Sequence, residues 1–201
     1  DWWPDNGLGI QQIYPSNAIT LDSSNELLAV SRNTIDEMQR WEDMNTSNSF
    51  FMAAIRVGYD STVIMKELHK YALHTYPNGF QLNNPHGIEN SCTVANALDE
   101  MLCMSAGNVI RLFRVFPKNQ NADFKNIRTW GAFLVSAKLK DGKVTDVKIL
   151  SEKGKPCTII NPWPGKKVVL IRNGKKAENI KGDRLSFKTS VREMITIKSF
   201  E

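Results

Sequence analysis

Residues 79–91 read GFQLNNPHGIENS and place two adjacent asparagines, a histidine and a glutamate around a proline and a glycine. An apolar helical pattern, VANALDEML, follows at once. Amides, an imidazole and a carboxylate are groups that move protons or orient water and hydroxylated substrates. Glu89 has two readings here. It can be a general base or acid, oriented by His86 and by Asn83 or Asn84. It can also mark the first turn of the next helix, where the dipole stabilises a carboxylate and His86 only hydrogen-bonds within the loop.

Other chemistry-bearing residues are few. His69 and His74 fall five apart on one helical pattern, the wrong spacing for a two-histidine metal face, so neither a metal nor another cofactor is expected. GxSxG, P-loop, GxGxxG and HExxH motifs are absent. The run RWEDMN at 40–45 offers an aromatic face on Trp41 and an amide on Asn45, which suits a polyhydroxylated ring. The same run also reads, more simply, as a core tryptophan followed by a solvated helix end at Glu42 and Asp43. Trp2 and Trp3 read as a stacking platform or as buried anchors.

Four helical patterns must position these groups. Ser23-Ser24-Asn25-Glu26 is a capping-box candidate opening a helix near 24–41, with Leu28, Ile35, Met38 and Trp41 at helical spacing. Asn48 is a candidate cap for FFMAAIRV, which Gly58 ends. Asp60 starts a third helix through Ile64, Leu68 and Tyr71, and Val94 to Leu102 mark a fourth. Beyond Gly107 the texture is strand-like. Asp141-Gly142 between WGAFLVSAKL and VTDVKIL is a strong hairpin signal, and CTIINPW, KVVLIR, RLSFK and MITIK follow. Helix on helix, then short strands at this spacing, implies an α+β chain of two units, residues 1–105 helical and 106–201 an antiparallel β-sandwich.

Charge divides at the same place. Residues 1–105 hold 5 lysines and arginines against 13 aspartates and glutamates, a net −8, whereas residues 106–201 hold 21 against 8, a net +13. The second-half lysines sit in the turns KDGK, EKGK, PGKK and NGKK, where they keep sheet edges soluble. No aromatic–glycine RNA-recognition signature accompanies them, so nucleic acid is not an expected partner. No apolar run approaches a membrane span, so no membrane partner is expected either. The opening DWWPDNGLG lacks the basic and apolar regions of a signal peptide. Cys92, Cys103 and Cys157 show no metal-ligand spacing, and two of them lie inside apolar patterns as buried thiols.

Several of these stretches together resemble the C-terminal region of family-95 glycoside hydrolases, the α-L-fucosidase type that also includes enzymes acting on L-galactosides. They are HGIENSCTVANALDEMLCMS, NVIRLFRVFPKN, FKNIRTWGAFLVSAKLKDGKV and CTIINPWPGKKV. The family's FQIDGNFG segment finds its parallel in FQLNNPHG and its EMLLQS helix end in Glu100-Met101-Leu102. Its GGF strand and DGK hairpin match Gly131-Ala132-Phe133 and Asp141-Gly142-Lys143. IYPSNAI and AAIRVGYD extend the resemblance over about residues 11 to 170.

The resemblance implies that residues 1–105 are the last helices of a catalytic (α/α)6 barrel and that the strands form the sandwich behind it. It implies a part of an inverting glycoside hydrolase acting on an oligosaccharide or glycoside, completed by the remainder of the barrel and usually exported. The family's base is the aspartate of FQIDGNFG. Aligning on Phe80-Gln81 places it at Asn83, and counting back from Glu100-Met101 places it at Glu89, which supplies the carboxylate. His86 then assists Glu89, and Asn83, Asn84, Trp41 and Asn45 are candidate sugar-binding residues. FGG has become ENS and a Pro85-His86 insertion has appeared, both beside the expected substrate. The rival reading is a non-catalytic carbohydrate-binding or scaffold protein.

Overall fold

The computed structural model describes residues 7–82, 84–85 and 87–199, so Trp2, Trp3, Asn83 and His86 lie outside the described residues. The chain divides into two compact units, Asp1–Met101 and Leu102–Glu201.

In the first unit α1 spans Asn25–Met38. Ser24 starts it, its hydroxyl accepting the Leu27 N–H at 3.2 Å, and Gln39 stops it in the left-handed region at φ 48°. The helix therefore ends short of Trp41. Helix α2, Ser47–Arg56, buries Phe50, Phe51, Met52, Ala53, Ala54 and Ile55, residues that point in every direction around its axis. A helix apolar all round belongs at the centre of a unit, and α2 touches α1, α3 and α4. Helix α3, Ser61–Leu73, is capped by the Asp60 carboxylate, which accepts from the Thr62 N–H at 2.7 Å and the Val63 N–H at 3.3 Å. The single turn α4, Ile88–Ser91, leads into α5, Thr93–Leu102.

One buried cation ties these elements. The Arg56 guanidinium donates through Nε to Glu100 at 2.8 Å and through a terminal nitrogen to Asn17 at 2.6 Å. Its carbon lies 4.8 Å from the centre of the Tyr14 ring. Arginine suits this place because its planar fork serves several partners at once.

The second unit is built on antiparallel strands. Strands β1 (Cys103–Met104) and β2 (Arg111–Leu112) form a short ladder, and β6 (Cys157–Ile160) pairs with β9 (Arg184–Phe187). The other six make one sheet in the order β3 (Ala122–Thr129), β4 (Phe133–Lys140), β5 (Lys143–Ser151), β10 (Glu193–Ser199), β7 (Val168–Arg172) and β8 (Lys175–Ile180). Asp141 and Gly142 form the two-residue turn between β4 and β5, both with positive φ, as a hairpin of this twist requires. Along β4, Phe133, Val135, Ala137 and Leu139 are buried while Ser136, Lys138 and Lys140 face outward.

Two of the sheet's three bulges, those on β3 and β5, interrupt the alternation near one edge. The register slips between Phe124 and Ile127 on β3 and opposite Ser136 to Lys138 on β5, and the extra residues are Asn126 at φ 59° and Asp146 at φ 53°. Each bulge turns an additional polar side chain to the outer face.

The expected architecture needs correction on two points. The helices before the strands do not form part of an (α/α)6 barrel: among the described residues there are five, of 4 to 14 residues. They wrap a central α2 whose apolar surface is satisfied within the unit, whereas a barrel helix keeps one face for the ring. The strands do not form two comparable sheets either, since one six-stranded sheet dominates and only two strands pair as β6–β9. What remains of the expectation is the α+β order, helices first and strands after.

Candidate functional site

The segment 79–91 folds by turning most of its amides inward. Gln81, Asn84 and Asn90 are buried, at 0%, 5% and 1% exposure. Asn84 donates its side-chain amide to the Met44 carbonyl at 2.7 Å, and Asn90 donates to the same oxygen. The Tyr71 hydroxyl donates to the Asn90 carbonyl at 3.1 Å and accepts from Thr93 at 3.3 Å. Burial raises the Tyr71 phenol above its ordinary value, against opposing hydrogen bonds from Thr93, Gln81 and Ser47. Gly87 fits beneath this cluster because a β-carbon there would lie 2.1 Å from the Asn84 amide nitrogen.

With these amides inside, Leu82, Pro85, Ile88 and Glu89 are the exposed side chains among the described residues of the segment. Glu89 is exposed in the first turn of α4, beside Ile88 at 69% exposure. Leu82 and Met44 are also exposed. Because Met44 is held by Asn84 and Asn90, the 43–46 loop lies against the segment that carries Glu89. Asn45 is exposed on that loop, so two of the expected site residues, far apart in sequence, are exposed on two segments joined through Met44.

Asp43 shapes the Asn45 loop. Burial alone would raise its carboxyl, but the Asn45 N–H, the Arg40 guanidinium and Thr46 hydrogen-bond to it and hold it below the ordinary aspartate value. It accepts from the Asn45 and Thr46 N–H groups at 2.9 Å each, which bends the chain into α2. Glu42 meets the His74 Nδ1 at 2.9 Å and Lys70 at 3.5 Å. The Glu42–His74 pair has no sequence signal, because the partners come together only when α3 packs beside the 40–46 loop.

Two expected sugar-binding residues are committed elsewhere. Trp41 is 3% exposed, edge-on to Phe50 at 4.8 Å between ring centres and tilted against Phe51 and Tyr59. Its faces belong to the core, as expected for the largest apolar side chain placed next to a central helix. Asn84 spends its amide on Met44. Asn83 and His86 lie outside the described residues. Among the described residues no three histidine, cysteine, aspartate or glutamate side chains gather as a metal would require, and no helix is long and apolar enough to cross a membrane.

No protein-family model and no curated protein matches the chain. Among solved structures it is similar to a GH30 endoxylanase from Clostridium papyrosolvens, at 13% identity and a TM-score of 0.30, over 61% of this chain and 30% of that one. The match thus spans under a third of that enzyme's length, and a likeness of this size carries no argument about activity. The chain is similar, distantly and over part of its length, to a glycoside hydrolase, and this likeness does not point to family 95.

Proposed function

We propose that the chain is the C-terminal portion of an inverting glycoside hydrolase of the fucosidase type, and that α4 presents Glu89 as its general base. One observation carries the reading. The inward amides of Asn84 and Asn90 anchor two loops on one carbonyl, which leaves Glu89 and Asn45 outward on adjacent segments of a fixed scaffold. A base held on such a scaffold can orient a water without reorganising. Asn45 then binds a sugar hydroxyl. The roles proposed for Asn83 and His86, and export of the protein, rest on the family resemblance alone.

An inverting reaction needs a second carboxylic acid about 6.5–9.5 Å from the base, with room for water between. Asp43 is engaged by Arg40 and two backbone N–H groups, and Glu42 by His74 and Lys70, so neither is free for that role. The acid in this reading comes from another part of the enzyme.

The test is hydrolysis of aryl α-L-fucosides, α-L-galactosides and related glycosides by the full-length protein that carries this chain, beside its Glu89→Gln variant. Loss of about 10²–10⁴-fold in kcat, with substrate still bound, is the expected result. Activity that survives the substitution returns Glu89 to stabilising the helix start. The 201-residue chain by itself is expected to be silent, having only one half of the acid–base pair.

A further inference from the structure

The outer face of the six-stranded sheet carries a groove of about 780 Å³ over β5, β10 and β7. A second depression of about 300 Å³ continues it over β3 and β4, since both include Asp146 and Lys148. Five neighbouring strands, β3 to β7, span on the order of 19 Å at the usual interstrand spacing. The hollow is therefore long and runs across the strands.

Its lining is specific. Lys143, Lys148, Lys166 and Lys198 face it, and none of the four pairs with a carboxylate among the described residues. Two carboxylates line the hollow: Asp146, which lies 3.0 Å from Lys138, and Asp123 in the smaller depression. Thr145, Thr196 and Ser199 add hydroxyls, and Lys148 and Ile171 flank Thr196 directly across the ladders.

Beside β5 stands Trp163, held by a built loop. Its indole N–H donates to the Val144 carbonyl at 3.0 Å, and its backbone N–H donates to the side chain of Asn161. Asn161 is 3% exposed and its amide also donates to the carbonyls of Lys166 and Gly182, each at 3.0 Å. A buried asparagine thus fixes the indole and positions Lys166 beside it.

We propose that this groove binds a segment of an anionic polysaccharide, a chain bearing uronate carboxylates or sulfate esters. The four ammonium groups supply charge-assisted hydrogen bonds to the anions. The hydroxyls match sugar hydroxyls, and the fixed indole offers an apolar face to a pyranose ring. Single-stranded nucleic acid, the other polyanionic chain, is held by stacking successive bases on several aromatic side chains, whereas this hollow has Trp163 and a Phe124 that is buried at 7% exposure. The inference goes beyond the role of Glu89 and needs no hydrolysis to be seen, so the two can fail separately.

Isothermal titration of the protein with oligogalacturonate tests it, beside a neutral malto-oligosaccharide and oligothymidylate. Oligogalacturonate is expected to bind, with the neutral chain at least about tenfold weaker. Lys148→Gln combined with Lys198→Gln, both exposed positions, should weaken it at least about tenfold, and Trp163→Leu should weaken it as well. Circular dichroism of each variant separates lost binding from lost fold. Absence of oligogalacturonate binding, or binding indifferent to the lysine pair and to Trp163 in folded variants, overturns the proposal. So does tighter binding of oligothymidylate, which would mark a nucleic-acid surface.

Discussion

Asn84 and Asn90 donate to one oxygen, the Met44 carbonyl, across 40 and 46 residues of sequence. A carbonyl has two lone pairs, so a single acceptor takes an N–H from each amide. The two asparagines therefore act as one clamp, and the clamp decides which side chains of the segment are left to solvent. Glu89 is among them.

The clamp has a steric lock in Gly87. Asn84→Ala should cost about 1 kcal/mol, the usual net worth of one hydrogen bond. Gly87→Ala should cost more, about 1–3 kcal/mol, because its new methyl overlaps the Asn84 side chain. In the double variant the overlap disappears, so the two losses should be less than additive in urea unfolding. Strict additivity would show that Gly87 and Asn84 do not touch.

Trp41→Ala should destabilise the helical unit by about 3–5 kcal/mol, the range for removing a large aromatic from a core. Its ring contacts with Phe50, Phe51 and Tyr59 are lost together. Thermal unfolding measures this. A variant that keeps its Tm but loses affinity for glycans would return Trp41 to the sugar-platform reading.

Acid should weaken this unit through two carboxyls. The Thr62 and Val63 N–H groups hold Asp60 below the ordinary aspartate value, and the bonds to Asn45, Arg40 and Thr46 outweigh burial to do the same for Asp43. A depressed folded value means that the unfolded chain binds protons first. The stability is fully present above the unfolded value of about 3.9 and is lost as pH falls through the folded values. Tm followed by circular dichroism from about pH 6 to about pH 2 should fall, and Asp43→Asn should flatten that fall. An unchanged acid limb in the variant would remove Asp43 from the account.

The three cysteines should separate by reactivity. Cys92 is exposed at the end of α4, whereas Cys103 and Cys157 are buried, and burial pushes the Cys157 thiol up to about 12. A chromogenic disulfide reagent should titrate one thiol quickly in the native protein and all three after denaturation. Because Cys92 follows Glu89 so closely, a bulky maleimide on it should also suppress any hydrolysis that depends on Glu89. Full activity after labelling would place the chemistry elsewhere.

How far the sequence could be read depended on where each residue's partner lies. Ser24, Asp60 and the Asp141-Gly142 turn were legible because their partners are within a few residues. Trp41, Asn84 and Asn90 were not, since their orientation is set by groups on other elements. The bulges at Asn126 and Asp146 lack the glycine that usually flags a positive φ. The groove was hidden for a related reason: Trp163 and Lys148 lie in two runs read as strands, CTIINPW and VTDVKIL, and only the fold shows the loop held by Asn161 lying over β5.

The Arg56–Glu100 contact closes a ring of chain around the segment that carries Glu89, its ends 44 residues apart in sequence. Joining the ends of such a ring costs conformational entropy that grows only slowly with its length, and folding has already met that cost before any ligand arrives. A substrate that reaches Glu89 then has less disorder to remove than it would on an untethered loop. Replacing the guanidinium by an ammonium keeps the charge but gives up the second arm to Asn17, so Arg56→Lys would leave the helices in place and return freedom to the ring.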